Sequence, residues 1–250
     1  MNAGTEHIVR VDNVAQRFGP RTIFQGVTFD VSAGEVFVIL GGSGCGKSSL
    51  MKLMIGLRPP SAGKILVHGT DLADEDQRAA VLRRIGVMFQ SGALFGSMTL
   101  LENVMLPLQM YTDLPEDGCA AVARVKLGLV GLGESTALMP AEISGGMAKR
   151  AGIARAMALD PPLLFLDEPS AGLDPITSAG LDRLILDLRD ELGATFIVVT
   201  HELASILAIA DRCIMLDKTA QGVIATGDPR DLRDTSTHPT VRAFFRREAM

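Results

Sequence analysis

Residues 35–54 read EVFVILGGSGCGKSSLMKLM: a short, almost wholly apolar run, a cluster of glycines, then a segment with helical spacing. The run EVFVIL (35–40) has the composition of a strand buried on both faces. GGSGCGKS (41–48) fits the pattern G-x-x-x-x-G-K-[ST], which carries meaning when a strand precedes it and a helix follows, as here. The glycines let the backbone curl so that successive N–H groups converge on phosphate oxygens. Gly41, Gly42, Ser43, Gly44, Cys45 and Gly46, with Lys47, Ser48 and Ser49 after them, are therefore the candidate nucleotide-binding residues. Lys47 supplies a point charge at the β- and γ-phosphates, and the Ser48 hydroxyl can ligate Mg²⁺. The helix is expected to run on until Arg58-Pro59-Pro60 stops it. Cys45 contributes its backbone; alkylating its thiol is expected to block nucleotide binding, with ATP protecting it.

Outward from this stretch, segments 8–12 and 23–31 show β-rich alternation and are expected to pair as an antiparallel flap. KILVHG (64–69) and IGVMFQ (85–90) read as strands around a charged surface helix, DEDQRAAVLRR. From about 94 to 160 the pattern becomes helix after helix, punctuated by Pro107, Pro115 and Pro140: an all-helical insert. PLLFLDEP (162–169), ATFIVVTH (194–201) and DRCIMLD (211–217) then return to short apolar strands between helices. This alternation predicts a mostly parallel sheet with helices on both faces. Residues 7–233 form the main domain on this reading, and 234–250 a tail whose PTVRAFFRREA (239–249) can form an amphipathic helix.

Chemistry gathers at the strand ends. LLFLDEP finishes an apolar strand on two adjacent carboxylates, at the crevice where ligands of open α/β sheets collect. Asp167 is assigned to the Mg²⁺ ion, directly or through water, and Glu168 to orienting and partly deprotonating the attacking water. His201 closes another strand on the same edge and is placed at the γ-phosphate. Gln90, after IGVMF, is placed to reach the metal or the water.

A second anion site lies at ISGGMAKR (143–150), where Ser144 caps a helix and Gly145 and Gly146 leave backbone N–H groups bare. One small chain thus carries two phosphate cradles.

The bulk properties limit the alternatives. The 250 residues carry a net charge of −5 with both signs interspersed, so nucleic acid is not an expected partner. Three cysteines without paired or metal-ligand spacing fit a reducing compartment. The polar N-terminus is unlike a signal peptide, and no run approaches the roughly 20 apolar residues of a membrane span. A mean hydropathy of +0.27 fits a large buried sheet, or a chain that also docks on something apolar.

The loop 41–48, Gln90, ISGGM (143–147), LLFLDEP (163–169), SAGLD (170–174) and His201 occur in the order and spacing of ABC transporter nucleotide-binding subunits. From about Val9 to Gly227 the chain resembles that family. The resemblance implies an α/β P-loop NTPase of ABC type: a mostly parallel sheet flanked by helices, an antiparallel β flap and an all-helical insert. It implies hydrolysis of ATP with Mg²⁺ by a head-to-tail dimer, in which the Ser144-Gly145-Gly146 helix start of one copy completes the γ-phosphate cage of the other. It places Asp174 at the dimer seam, and Phe18, 29 residues before Lys47, on the adenine ring. Met147 departs from the pattern, which usually has Gln there, so an amide hydrogen bond at that position is lost.

VMFQSGALFGSMTLLENVMLPL (87–108), DEPSAGLDPITSAGLDRLI (167–185) and SGGMAKR resemble the ATPases of the Mla (maintenance of lipid asymmetry) and Mce-associated systems. By that resemblance the chain drives phospholipid traffic from the cytoplasmic side of a bacterial inner membrane, bound to a permease subunit. A periplasmic Mce-domain lipid-binding protein and a small STAS-domain protein on the helical insert are the further partners it implies. Residues 91–95, small and apolar, are the expected groove for a permease coupling helix. VRAFFRR (241–247) resembles the family tail and would bury Val241, Phe244 and Phe245 against its own domain or the opposite subunit. ATPases for solute import or drug export share every catalytic motif and remain an alternative. A non-transport ABC ATPase is another, although the chain has neither a long coiled-coil insert nor a second copy of the motifs.

Overall fold

The computed structural model describes residues 7–90 and 92–248. β1 (His7–Phe18) and β2 (Arg21–Ser32) pair as an antiparallel hairpin, and the chain then enters β3 (Val36–Gly41). The glycine loop leads into α1 (Lys47–Met54), and β4 (Ala62–Val67) and β5 (Thr70–Asp71) complete a four-stranded flap in the order β2-β1-β4-β5. α2 (Glu75–Leu82) lies on the surface before β6 (Ile85–Met88). The helical region comprises α3 (Leu100–Tyr111), α4 (Glu116–Leu129), two single 3₁₀ turns and α5 (Gly145–Ala156). β7 (Leu163–Asp167), α6 (Pro175–Leu192), β8 (Thr195–Val199), α7 (Leu203–Ile209) and β9 (Arg212–Asp217) return to strand–helix alternation. β10 (Gly222–Gly227), α8 (Pro229–Thr235) and α9 (Pro239–Arg246) follow.

The second sheet runs β10-β9-β3-β8-β7-β6, parallel except for β10. Its strands alternate sides, and both sides are buried. Val36, Val38, Leu40, Leu164, Leu166, Phe196 and Val198 face the core shared with the helical region, α6, α7 and α9. Phe37, Ile39, Leu163, Phe165, Ile197 and Val199 face the flap and α1. Phe29 of the flap stacks on Phe37 at 5.2 Å between ring centroids, adding about 0.5–1.5 kcal/mol beyond its buried area. Placing β8 between β3 and β7 sets the glycine loop, His201 and the Asp167-Glu168 pair side by side at one sheet edge.

Two expectations change, and one open alternative, where the tail packs, closes on the chain's own domain. α1 ends at Met54, short of Arg58-Pro59-Pro60, because Gly56 takes a left-handed φ of 70° and turns the chain earlier. Pro107 punctuates nothing: it lies inside α3, whose start is fixed by a capping box between Thr99 and Glu102. The tail is part of the domain core, since Val241 and Phe245 of α9 are buried in the same cluster as Leu166 and Val198. No described helix is long and apolar enough to cross a membrane.

Candidate functional site

The glycine loop has a backbone that a side chain would obstruct. Gly41 has a φ of 146°, and a Cβ there would lie 2.3 Å from the Leu216 carbonyl oxygen and 2.8 Å from the Cys45 sulfur. Gly46 has a φ of 105°, and a Cβ would lie 2.8 Å from side-chain atoms of both Ile23 and Phe24. No side chain caps α1, so its first N–H groups stay available to an anion. Lys47 Nζ donates to the carbonyls of Gly41 (2.9 Å) and Gly42 (3.2 Å), folding the ammonium over the loop. The Cys45 thiol is buried, which pushes its pKa up. Alkylation of this thiol is therefore expected to be slow.

The Ser48 hydroxyl lies beside the Asp167 carboxyl and favours its charged form. Burial and then the neighbouring Glu168 push the Asp167 carboxyl up, opposed by Lys52, Ser48 and Lys47. Glu168 occupies a left-handed φ of 49°, its N–H tied to the Val199 carbonyl at 2.8 Å. That bend turns its carboxylate toward His201, whose Nδ1 lies 2.8 Å from Oε1. Asp167 Oδ1 and Glu168 Oε2 are buried with no hydrogen-bond partner. Two orphaned carboxylate oxygens beside a serine hydroxyl and an ammonium fit a Mg²⁺-phosphate group. Among the described residues no cluster of three or more His, Cys, Asp or Glu exists to cage a metal by itself. A nucleotide-borne Mg²⁺ needs none, because phosphates and water supply the remaining ligands.

Other sequence-derived candidates stand apart. Gln90 is exposed, and no hydrogen bond among the described residues joins its amide to the Asp167–Ser48 group. Phe18, 44% exposed at the end of β1, carries the Arg58 guanidinium 5.5 Å over its ring. The second cradle is built as expected: Ser144 Oγ accepts from the Met147 N–H at 3.2 Å. Gly146 is demanded by close approach instead of φ, since a Cβ would lie 2.5 Å from the Thr177 methyl. α5 and α6 thus begin side by side, with Asp174 capping α6 and Ile176 86% exposed next to it. Hydrogen bonds from Thr177 hold the Asp174 carboxyl below the usual carboxylate range.

Ser91 lies outside the described residues, and the rest of 91–95 forms a strapped loop, not a groove. Arg155 donates to the carbonyls of Gly92 (2.9 Å) and Ala93 (2.8 Å), and Phe95 lies under its guanidinium. The apolar groove is adjacent, a cavity of about 410 Å³ lined by Leu82, Ile85, Val87, Pro107, Tyr111 and Leu159. Sequence reading also missed Lys149, a buried cation reaching the carbonyls of Gln90 and Glu168. Its signal was helical spacing: three residues after Gly146 and three before Gly152, it falls on the buried stripe of α5.

Residues 24–171 match the family model described as ABC transporter. The chain is 42% identical over 239 residues to the probable ribonucleotide transport ATP-binding protein mkl of Mycobacterium leprae, covering 95% of this chain and 68% of that one. It is 40% identical to the intermembrane phospholipid transport system ATP-binding protein MlaF of Haemophilus influenzae, covering 91% and 86%. Its fold matches the ATP-binding cassette MJ0796, solved as a dimer in a post-hydrolysis state with ADP and Pi, at a TM-score of 0.79 and 29% identity over 88% and 98%.

Proposed function

Because this chain belongs to the ABC transporter family of ATP-binding cassettes, we propose that it hydrolyses ATP in a head-to-tail pair beneath a membrane permease and that phospholipid is the cargo class it energises. The observation that carries the catalytic part is the state of Glu168. One oxygen is held by His201 and the other, Oε2, is buried and unpaired beside Asp167 and the glycine loop. A carboxylate fixed in aim with one free lone-pair face is what a base for the attacking water requires.

The remaining roles follow from placement. Lys47 leaves its two carbonyls to meet the β- and γ-phosphates, while the N–H groups of 41–49 hold the phosphate chain. Ser48 and Asp167 would hold Mg²⁺, with Gln90 joining them if its loop moves inward; the ion would neutralise phosphate charge. His201 keeps Glu168 in position and would also contact the γ-phosphate. Phe18, already a platform for a planar cation, offers its exposed face to adenine.

The Ser144–Gly146 terminus serves a second copy's ATP. Its hydroxyl accepts the cap N–H and keeps a proton that it can donate to an anion. Exposed Ile176 beside Asp174 supplies apolar contact at the seam. The groove between α2, β6 and α3 would receive the permease, with the chain on the cytoplasmic side of an inner membrane. An Mce-domain lipid-binding protein and a STAS-domain protein on the helical region 94–160 complete the assembly. Similarity to MlaF and the Met147 motif support phospholipid; the ribonucleotide in the mkl name keeps a second cargo open.

Glu168→Gln is expected to bind ATP normally and turn over about 10²- to 10⁴-fold more slowly, measured by phosphate release. Near-wild-type turnover sinks the base assignment. Pull-down from detergent-solubilised membranes tests the cargo. A permease with an Mce-domain protein and phospholipid supports it, whereas a permease with a soluble-solute receptor and no lipid overturns it.

A further inference from the structure

Lys149 is the one side chain described here that bonds to both the Gln90 segment and the Glu168 segment. It projects from α5 into the protein, 6% exposed, and its ammonium donates to the carbonyl oxygens of Gln90 and, at 3.1 Å, of Glu168. Burial lowers its pKa, while the charges of Glu168 and Asp167 raise it. A buried ammonium usually answers a carboxylate, but these hydrogen bonds are spent on two backbone oxygens.

The choice of oxygens matters because of the backbone at Glu168. A non-glycine residue at a φ of 49° is held there by its surroundings. On the N-terminal side the Val199 carbonyl fixes the peptide. On the C-terminal side Lys149 and the Ala171 N–H, at 3.3 Å, hold the Glu168 carbonyl. Rotating that peptide would swing the carboxylate away from His201. On the α5 side, Arg155 and the close packing of Gly152 on Gly92 bind residues 92–93 to the same helix that carries Lys149.

We infer that Lys149 is a positioning residue for hydrolysis: its ammonium fixes the peptide after Glu168, and so the aim of that carboxylate, in register with the Gln90 loop and α5. This rests on the reading of Glu168 as the base. A displacement of the loop beside the apolar groove then reaches the catalytic carboxylate through a single charged group, without any change at the nucleotide.

The test measures ATP turnover and binding of a fluorescent ATP analogue by the full chain carrying Lys149→Met, Lys149→Arg, Glu168→Gln, and Lys149→Met with Glu168→Gln. Lys149→Met is expected to lower kcat about 10- to 100-fold, the size of a lost charged hydrogen bond, with analogue affinity unchanged. Lys149→Arg, which keeps a cation able to donate to two carbonyls, should recover most of that loss. In the Glu168→Gln background Lys149→Met should add nothing, because the group it aims has already been disabled. Should Lys149→Met fail to fold, Lys149→Gln takes its place, and the same pattern is expected. Wild-type kcat, equal losses in binding and turnover, or additive losses in the double variant would each overturn the inference. If Glu168→Gln itself turns over normally, the reading of the base falls and takes the inference with it. If only Lys149→Met behaves as wild type, the base stands and the inference alone is lost.

Discussion

The two cradles, residues 41–48 and 144–147, are both helix starts rich in glycine, yet they are built on different principles. In the first, glycine is demanded by the backbone itself: Gly41 and Gly46 sit at φ values of 146° and 105° with no room for a Cβ. No side chain caps the helix, and a lysine ammonium is folded over the loop. In the second, a serine caps a helix of ordinary geometry, and Gly146 is required by a neighbouring helix. The first cradle is self-sufficient and charged. The second carries no acid or base in its first turn, only backbone N–H groups and a hydroxyl, which suits the proposed role of meeting a phosphate held by another copy.

Gly41→Ala should break the first cradle most severely. Left-handed strain and the collision with the Leu216 carbonyl together cost about 2 to 6 kcal/mol, read as a lowered melting temperature with loss of ATP binding. A variant that melts like the parent and binds ATP would show that this backbone is not what makes the cradle.

Gly146→Ala should act less strongly and in a different place. Overpacking against Thr177 costs about 1 to 3 kcal/mol, lowering turnover while ATP binding by the first cradle persists. Thr177→Ser keeps the hydroxyl that bonds Asp174 and removes the obstructing methyl, so the double variant should recover. Absence of recovery would mean that Gly146 is needed for something other than space.

Ser144→Ala gives the smallest effect, a cap loss of about 1 kcal/mol measured by thermal unfolding, with nucleotide affinity of the single chain unchanged. An affinity loss in the single chain would erase the distinction between the cradles.

What sequence revealed and what it hid divide along similar lines. The glycine loop, the paired carboxylates and His201 were legible because their chemistry follows apolar runs, and strand ends in a parallel sheet share one edge. Ser144 was legible because a cap is local. Lys149, Arg155 and the contact of Gly152 with Gly92 were not, because each depends on which face of α5 meets a loop some 60 residues away in sequence. The cavity between α2, β6 and α3, and the Arg155 strap on residues 92–93 beside it, were also hidden, because both depend on how α5 packs. The early end of α1 turned on Gly56, which carries a stronger stop than the prolines behind it.

The position of β3 has a consequence for how the molecule is made. The strand that carries the glycine loop lies between β8 and β9, with Phe37 opposite Ile197 and Val38 opposite Cys213. A ribosome releases the N-terminal part first, at about 5–20 residues per second. The most apolar strand of the early chain therefore waits roughly ten to thirty seconds before either neighbour exists. Until then the nascent protein has the complete phosphate-binding motif but no sheet to shape it, and nucleotide cannot assist its folding before the last third of synthesis.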